Sequence, residues 1–195
     1  MDSINKITGI VLSGGKSSRM GREKGLCTLR GKPLIEYAVE VLIEVCDDVI
    51  ISANDNSYDY LGLPVVKDAV PGVGPIGGIS SAIHYSETND NFILSCDMPF
   101  VSGELIRYIL SGKPGYQAVV PVNDGFPEPL CAYYRKDIVE VFDRSIENGI
   151  YKIRRAIKSG DVAYIDIDRR NGFDNRLLFS NINTEKELMR IEGLF

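Results

Sequence analysis

The chain is expected to fold as a single three-layer α/β domain, with a mostly parallel central sheet flanked by helices. Three features carry that expectation. Residues 7–12 and 91–96 are apolar runs with no polar face, the pattern of strands buried on both sides. Runs of this kind alternate with helical patterns along the chain, the order that yields a parallel sheet covered by helices. A length of 195 residues suits one substantial core and is too short for two.

The elements follow in order. After the first strand and a glycine loop, Pro33 opens a helix over 33–45, with Leu34, Ile35, Ala38, Val41, Leu42 and Val45 on one face and Glu36, Glu40 and Glu44 on the other. Strands are expected at 49–51 and 64–66, and a Gly-rich turn at 72–78 leads into a helix over 76–85. The apolar run 91–96 is a central strand, and Ser102 is a good N-cap for a helix to about residue 110. Strands at 118–120 and 130–134 flank the Pro127 and Pro129 turn. Helices at 138–145 and 151–158, a strand at 162–167, a polar loop at 168–175 and a C-terminal helix capped by Thr184 complete the chain.

The loop after the first strand holds the densest chemistry. Gly14 and Gly15 have no Cβ, so the backbone beyond Leu12 can take positive φ and aim its N–H groups at an anion. Lys16, Arg19, Arg22 and Lys24 follow within ten residues. A nucleoside triphosphate fits such a loop better than a lone carboxylate. Two familiar glycine motifs are excluded: the ATPase phosphate loop requires glycine where Ile10 stands, and the dinucleotide fingerprint fails because the only pair is the adjacent Gly14-Gly15. In open α/β sheets ligands lie beyond the carboxyl ends of the strands where the strand order reverses. Asp97, at the end of the run 91–96, can therefore share a crevice with the glycine loop.

Leu12-Ser13-Gly14-Gly15, Ser18-Arg19-Met20-Gly21, Lys24 and Gly31-Lys32-Pro33-Leu34 resemble the opening of the nucleotidyltransferases that activate sugars and cofactors. Asp68, Gly74-Pro75-Ile76-Gly77-Gly78, Cys96-Asp97-Met98-Pro99-Phe100, Glu128-Pro129-Leu130-Cys131-Ala132 and Asn181-Ile182-Asn183-Thr184 continue the likeness in family order. Within that superfamily the chain is most similar to the molybdenum cofactor guanylyltransferases, the MobA family. The resemblance implies a Rossmann-like nucleotidyltransferase domain over 1–195, with a nucleotide-binding half at about 1–100 and an acceptor-binding half at about 101–195. It implies GMP transfer from GTP to molybdenum-molybdopterin with release of pyrophosphate. Other molybdenum-cofactor biosynthesis proteins and recipient molybdoenzymes are the implied partners.

The expected catalytic residues are Arg19, Lys24 and Asp97. Asp97 is the candidate ligand of Mg²⁺, which takes one or two protein carboxylates together with phosphate oxygens and water. An aspartate after a strand also serves as a turn or helix cap, but Pro99 offers no N–H to cap and holds Met98 extended. Nucleotide binding is expected from Leu12, Ser13, Gly14, Gly15 and Lys24, with Asp68 contacting ribose or base; a plain turn aspartate is the alternative for Asp68. The family often has asparagine where this chain has Ser52. Asn54, two residues on along the same face, is the other candidate for reading the base. Asn181 and Asn183, with Glu128-Pro129 across the crevice, resemble family residues near the pterin. Arg154-Arg155 or Arg169-Arg170 either hold its terminal phosphate or are solvated, and Tyr133, Tyr134 and Tyr164 either stack on it or edge the core.

Composition narrows the classes further. A net charge of −5 argues against a nucleic-acid surface. The N-terminus lacks a secretory pattern, and no run approaches the roughly 20 apolar residues of a membrane span, so a cytoplasmic protein with no membrane partner is expected. Four widely spaced cysteines and one histidine, His84, do not form a zinc motif. Two rival functions remain open: a relative using CTP or a sugar or polyol phosphate, and a non-catalytic carrier of nucleotide and pterin.

Overall fold

The computed structural model describes residues 6–14, 23–173 and 177–194. Its strands are β1 (Ile7–Leu12), β2 (Thr28–Leu29), β3 (Lys32–Pro33), β4 (Asp48–Ser52), β5 (Val65–Val66), β6 (Asp90–Ser95), β7 (Ala118–Asn123), β8 (Phe126–Pro127), β9 (Cys131–Arg135) and β10 (Val162–Asp166). Its helices are α1 (Leu34–Val45), α2 (Pro75–Tyr85), α3 (Gly103–Ser111), α4 (Val139–Glu147), α5 (Ile153–Ala156) and α6 (Glu185–Glu192). The main sheet runs β10-β7-β9-β6-β1-β4-β5, with β8 paired to β7. Pairs β1/β4, β1/β6, β4/β5 and β10/β7 are parallel, while β9 runs antiparallel to both β6 and β7.

Three layers follow from the apolar strands. Val11 of β1 packs with Ile35, Ala38 and Leu42 of α1 and Leu105, Ile106 and Ile109 of α3 on one face. Ile10 and Leu12 point the other way, into Ile76, Ile79 and Ile83 of α2 and Phe142 of α4. All six residues of β6 are buried. Each apolar side chain among them, such as Phe92, Ile93 and Leu94, contributes about 1.5–3 kcal/mol when withdrawn from water, and this burial fixes β1 and β6 at the centre.

Local expectations meet small corrections. The first helix begins at Leu34, because Pro33 stays extended and pairs with Thr28 in the β2/β3 hairpin. The helix expected over 151–158 is reduced to α5 and a 3-10 turn at Ile157–Ser159, with Lys152 extended before it. Within the polar stretch at 168–175, residues Arg169–Asn171 form another 3-10 turn. Both caps form: Ser102 Oγ accepts from Leu105 N at 3.3 Å and Thr184 Oγ1 from Glu187 N at 3.1 Å. A third cluster unites the two ends of the chain, with Ile182, Leu188 and Ile191 packed on Cys27, Leu29 and Leu34. No helix among the described residues is long and apolar enough to cross a membrane.

Candidate active site

From β1 the chain moves to β4 and β5 on one side, then crosses back to β6 on the other, so the strand order reverses at β1. The crevice belongs at the carboxyl ends of β1 and β6. Those ends are locked together: Cys96 N donates to Leu12 O at 3.0 Å and Ser13 N to Ser52 O at 2.9 Å. The Leu12 carbonyl and Ser13 amide are therefore already engaged in the sheet.

Asp97 leaves β6 into this crevice and is 7% exposed. Its Oδ2 is ion-paired with Lys24 Nζ, while its Oδ1 is buried without a hydrogen-bond partner among the described residues. Lys24 Nζ also donates to Asn183 Oδ1 at 2.6 Å. The C-terminal segment is held there by Ile182 N, which donates to the Asp97 carbonyl at 3.0 Å, and by Asn183 N, which donates to Glu187 Oε2 at 2.8 Å. Three segments far apart in sequence thus place an acid, a lysine and an amide together. Asn183, expected beside the pterin, is attached to Lys24, and Asn181 lies two residues before it.

On the other side of β1, Ser52 is buried at the end of β4. Asn54 Nδ2 donates to Asp68 Oδ2 at 3.1 Å, and Asp68 N donates to Asn54 Oδ1 at 2.9 Å. Gly78 of α2 faces the same place: a Cβ there would stand 2.6 Å from Ser52 Oγ and 3.2 Å from Asp68 Oδ1. Ser52, Asn54 and Asp68 therefore form one polar group beside Leu12, with Asn54 orienting the carboxylate. Cys96 is buried beside Ser13; burial and then the Asp97 charge push its thiol up to about 12, which keeps it protonated.

Gly14 departs from its expected role. Its φ is not positive, and a Cβ on it would meet nothing within 4 Å. Gly15 and Arg19, with Lys16 and Arg22, lie outside the described residues.

A second feature lies toward the β10 edge, a hollow of about 800 Å³ lined in part by Lys152, Arg154, Arg155, Lys158 and Tyr164. Glu128 stands between it and the crevice. Burial raises its carboxyl above the ordinary value, Arg154 opposes that rise and the Asp97 charge adds to it. Of the tyrosines considered for stacking, Tyr133 and Tyr134 belong to the core. Tyr133 donates to Asp90 Oδ1 at 2.8 Å, and Tyr134 donates to Pro129 O at 2.9 Å and meets Phe142 edge-on. Only Tyr164 of the three is exposed.

An acid and a lysine meeting over the switch point of a mostly parallel sheet, beside a second cluster of polar side chains, define the nucleotide-binding class of α/β proteins. Residues 9–163 match the model of the MobA-like NTP transferase domain, and the chain belongs to that family. It is 36% identical over 193 residues to a protein of Thermococcus sibiricus named "Probable molybdenum cofactor guanylyltransferase", covering 95% of this chain and 97% of the relative. A Flavobacterium johnsoniae protein of the same name is 33% identical, covering 93% and 94%. The crystal structure of molybdopterin-guanine dinucleotide biosynthesis protein A from Archaeoglobus fulgidus superposes with a TM-score of 0.82 at 31% identity, covering 96% of this chain and 97% of that one.

Proposed function

We propose that this chain transfers GMP from GTP to the terminal phosphate of molybdenum-bearing molybdopterin. An acceptor phosphate oxygen forms a bond to the α-phosphorus as the bond to the β-phosphate oxygen breaks, and pyrophosphate leaves. The observation that carries the reading is the meeting of Asp97, Lys24 and Asn183 at the strand ends, with one carboxylate oxygen of Asp97 buried and unpartnered.

That unpartnered Oδ1 fits a divalent cation, and Asp97 would hold Mg²⁺ together with phosphate oxygens. When bound, the ion supplies charge to the triphosphate and its leaving group. Lys24 leaves Asp97 for the phosphates as the nucleotide arrives, and Asn183 steadies its ammonium. Arg19 is assigned a second phosphate-binding charge on sequence grounds, with Gly14 and Gly15 leaving room for the backbone to approach. Such a transfer needs alignment and fixed charge more than covalent help. Guanine presents neighbouring N–H donors, and the Asp68 carboxylate, held by Asn54 beside Ser52, is an acceptor of matching chemistry. The body of the anionic acceptor is assigned to the basic hollow, with its terminal phosphate reaching past Arg154 and Glu128 to the α-phosphorus at Asp97.

The test is pyrophosphate release from GTP, CTP, UTP and ATP with Mg²⁺ and the molybdenum-loaded pterin. Release with GTP is expected, and Asp97→Ala should lower the rate by about a thousandfold while circular dichroism stays unchanged. Unchanged turnover in that variant removes Asp97 from the site. A preference for CTP moves the chain to a related transferase, and binding without pyrophosphate release makes it a carrier.

A further inference from the structure

Tyr58, in the loop after β4, is fully buried with its ring in the core. Its hydroxyl nevertheless faces the site. Ser13 Oγ donates to it at 2.5 Å, and it donates to Glu23 Oε2 at 3.2 Å. A phenol that accepts one hydrogen bond and donates another is fully used. Burial raises its ionisation well above the ordinary value, so the phenol keeps the proton that it donates to Glu23.

The three partners come from separate segments. Ser13 is the first residue beyond β1, Glu23 immediately precedes Lys24, and Lys24–Leu26 is a 3-10 turn. Gly25 presses that turn onto the bridge: a Cβ there would lie 2.7 Å from both Ser13 Oγ and the Tyr58 hydroxyl oxygen. The turn bearing Lys24 is thus seated on a Ser13–Tyr58 pair and tied to it through Glu23.

The geometry points to Tyr58 as a positioning residue for nucleotide binding: its hydroxyl clamps the 24–26 turn to the end of β1 and so sets where the Lys24 ammonium stands. This rests on the reading of Lys24 as the cation that holds the triphosphate. Among the described residues Tyr58 hydrogen-bonds to neither Lys24 nor Asp97; it acts through Ser13 and Glu23.

Tyr58→Phe keeps the buried ring and removes only the hydroxyl. The GTP dissociation constant, measured by calorimetry with Mg²⁺, and the KM for GTP should both rise about fivefold, the effect of one lost hydrogen bond. The KM for the pterin acceptor should change little, and the Tm of the nucleotide-free protein should fall by only about 2–4 °C. Ser13→Ala should give a similar GTP defect, and the double variant should be no worse than the more impaired single one, because both changes break the same bridge. GTP affinity unchanged in Tyr58→Phe overturns the proposal. So does a loss confined to kcat together with a larger fall in Tm, which is the pattern of partial unfolding. Calorimetry needs no turnover, so a wild type that binds GTP without releasing pyrophosphate counts against the transferase reading and leaves the clamp to be decided by the same comparison.

Discussion

At the carboxyl ends of β1 and β6 the polar side chains are bonded to one another, whereas in the hollow beside β10 the cations stand in water. Asp97, Lys24 and Asn183 are joined by short contacts, as are Ser13 and Tyr58, across five segments of chain. Lys152, Arg154, Arg155 and Lys158 are all exposed. The first region is organised before any ligand arrives, which suits the reacting phosphates, where small displacements matter. The second attracts by charge and leaves its geometry to the ligand, which suits a bulky anionic acceptor.

That contrast is open to test, beginning with the largest effect. Lys24→Ala should lower kcat/KM for GTP by about 10²–10³, as removal of one fixed donor in an organised site does. A loss below tenfold would mean that the crevice is no more organised than the hollow. Exchanging both Lys152 and Arg154 for alanine should raise the KM for the pterin acceptor about tenfold and leave the KM for GTP unchanged. Because exposed charges are screened over about 10 Å at 0.1 M salt, the wild-type acceptor KM should climb with ionic strength toward that of the variant. A salt-independent acceptor KM would show that bonded geometry governs the second region as well.

The smallest expected effect concerns Glu128, which lies between the two. Its carboxyl is raised chiefly by burial, so the folded state binds this proton more tightly than the unfolded state does. The contribution of Glu128 to stability is therefore present at low pH and is lost as pH rises through its raised pKa. Glu128→Gln should raise the Tm at pH 7 by about 2 °C. The gain should fade as the pH is lowered to where the wild-type carboxyl is protonated in both states. A variant less stable than wild type at pH 7 would indicate that Arg154 outweighs burial.

The central strands were legible because a run with apolar side chains on both faces has no solvent face to occupy, as at residues 10–12 of β1 and 92–94 of β6. The caps at Ser102 and Thr184 were legible because their chemistry is local. The meeting of Asp97 with the first loop could be read from the rule for strand ends, and Lys24 from the resemblance. The attachment of Asn183 to Lys24 could not, since it spans 159 positions and depends on how α6 packs. Tyr58 carried no signal at all: it stands in an aperiodic loop and acquires its role only where residues 13, 23 and 58 converge. The antiparallel insertion of β9 between β6 and β7 is likewise a property of the sheet rather than of any segment. Tyr133 and Tyr134 offered two readings from sequence, and their hydroxyl partners Asp90 and Pro129 decide for the core.

The match to the family model ends at residue 163, yet Ile182 and Asn183 lie beyond it and touch Asp97 and Lys24 directly. A fragment cut at that boundary would split the edge strand β10 and lose the last wall of its cleft. During synthesis the same geometry imposes an order: the amide that steadies the lysine emerges after every strand has been made, so a nascent chain completes its cleft only when its final helix docks on the hairpin near the start.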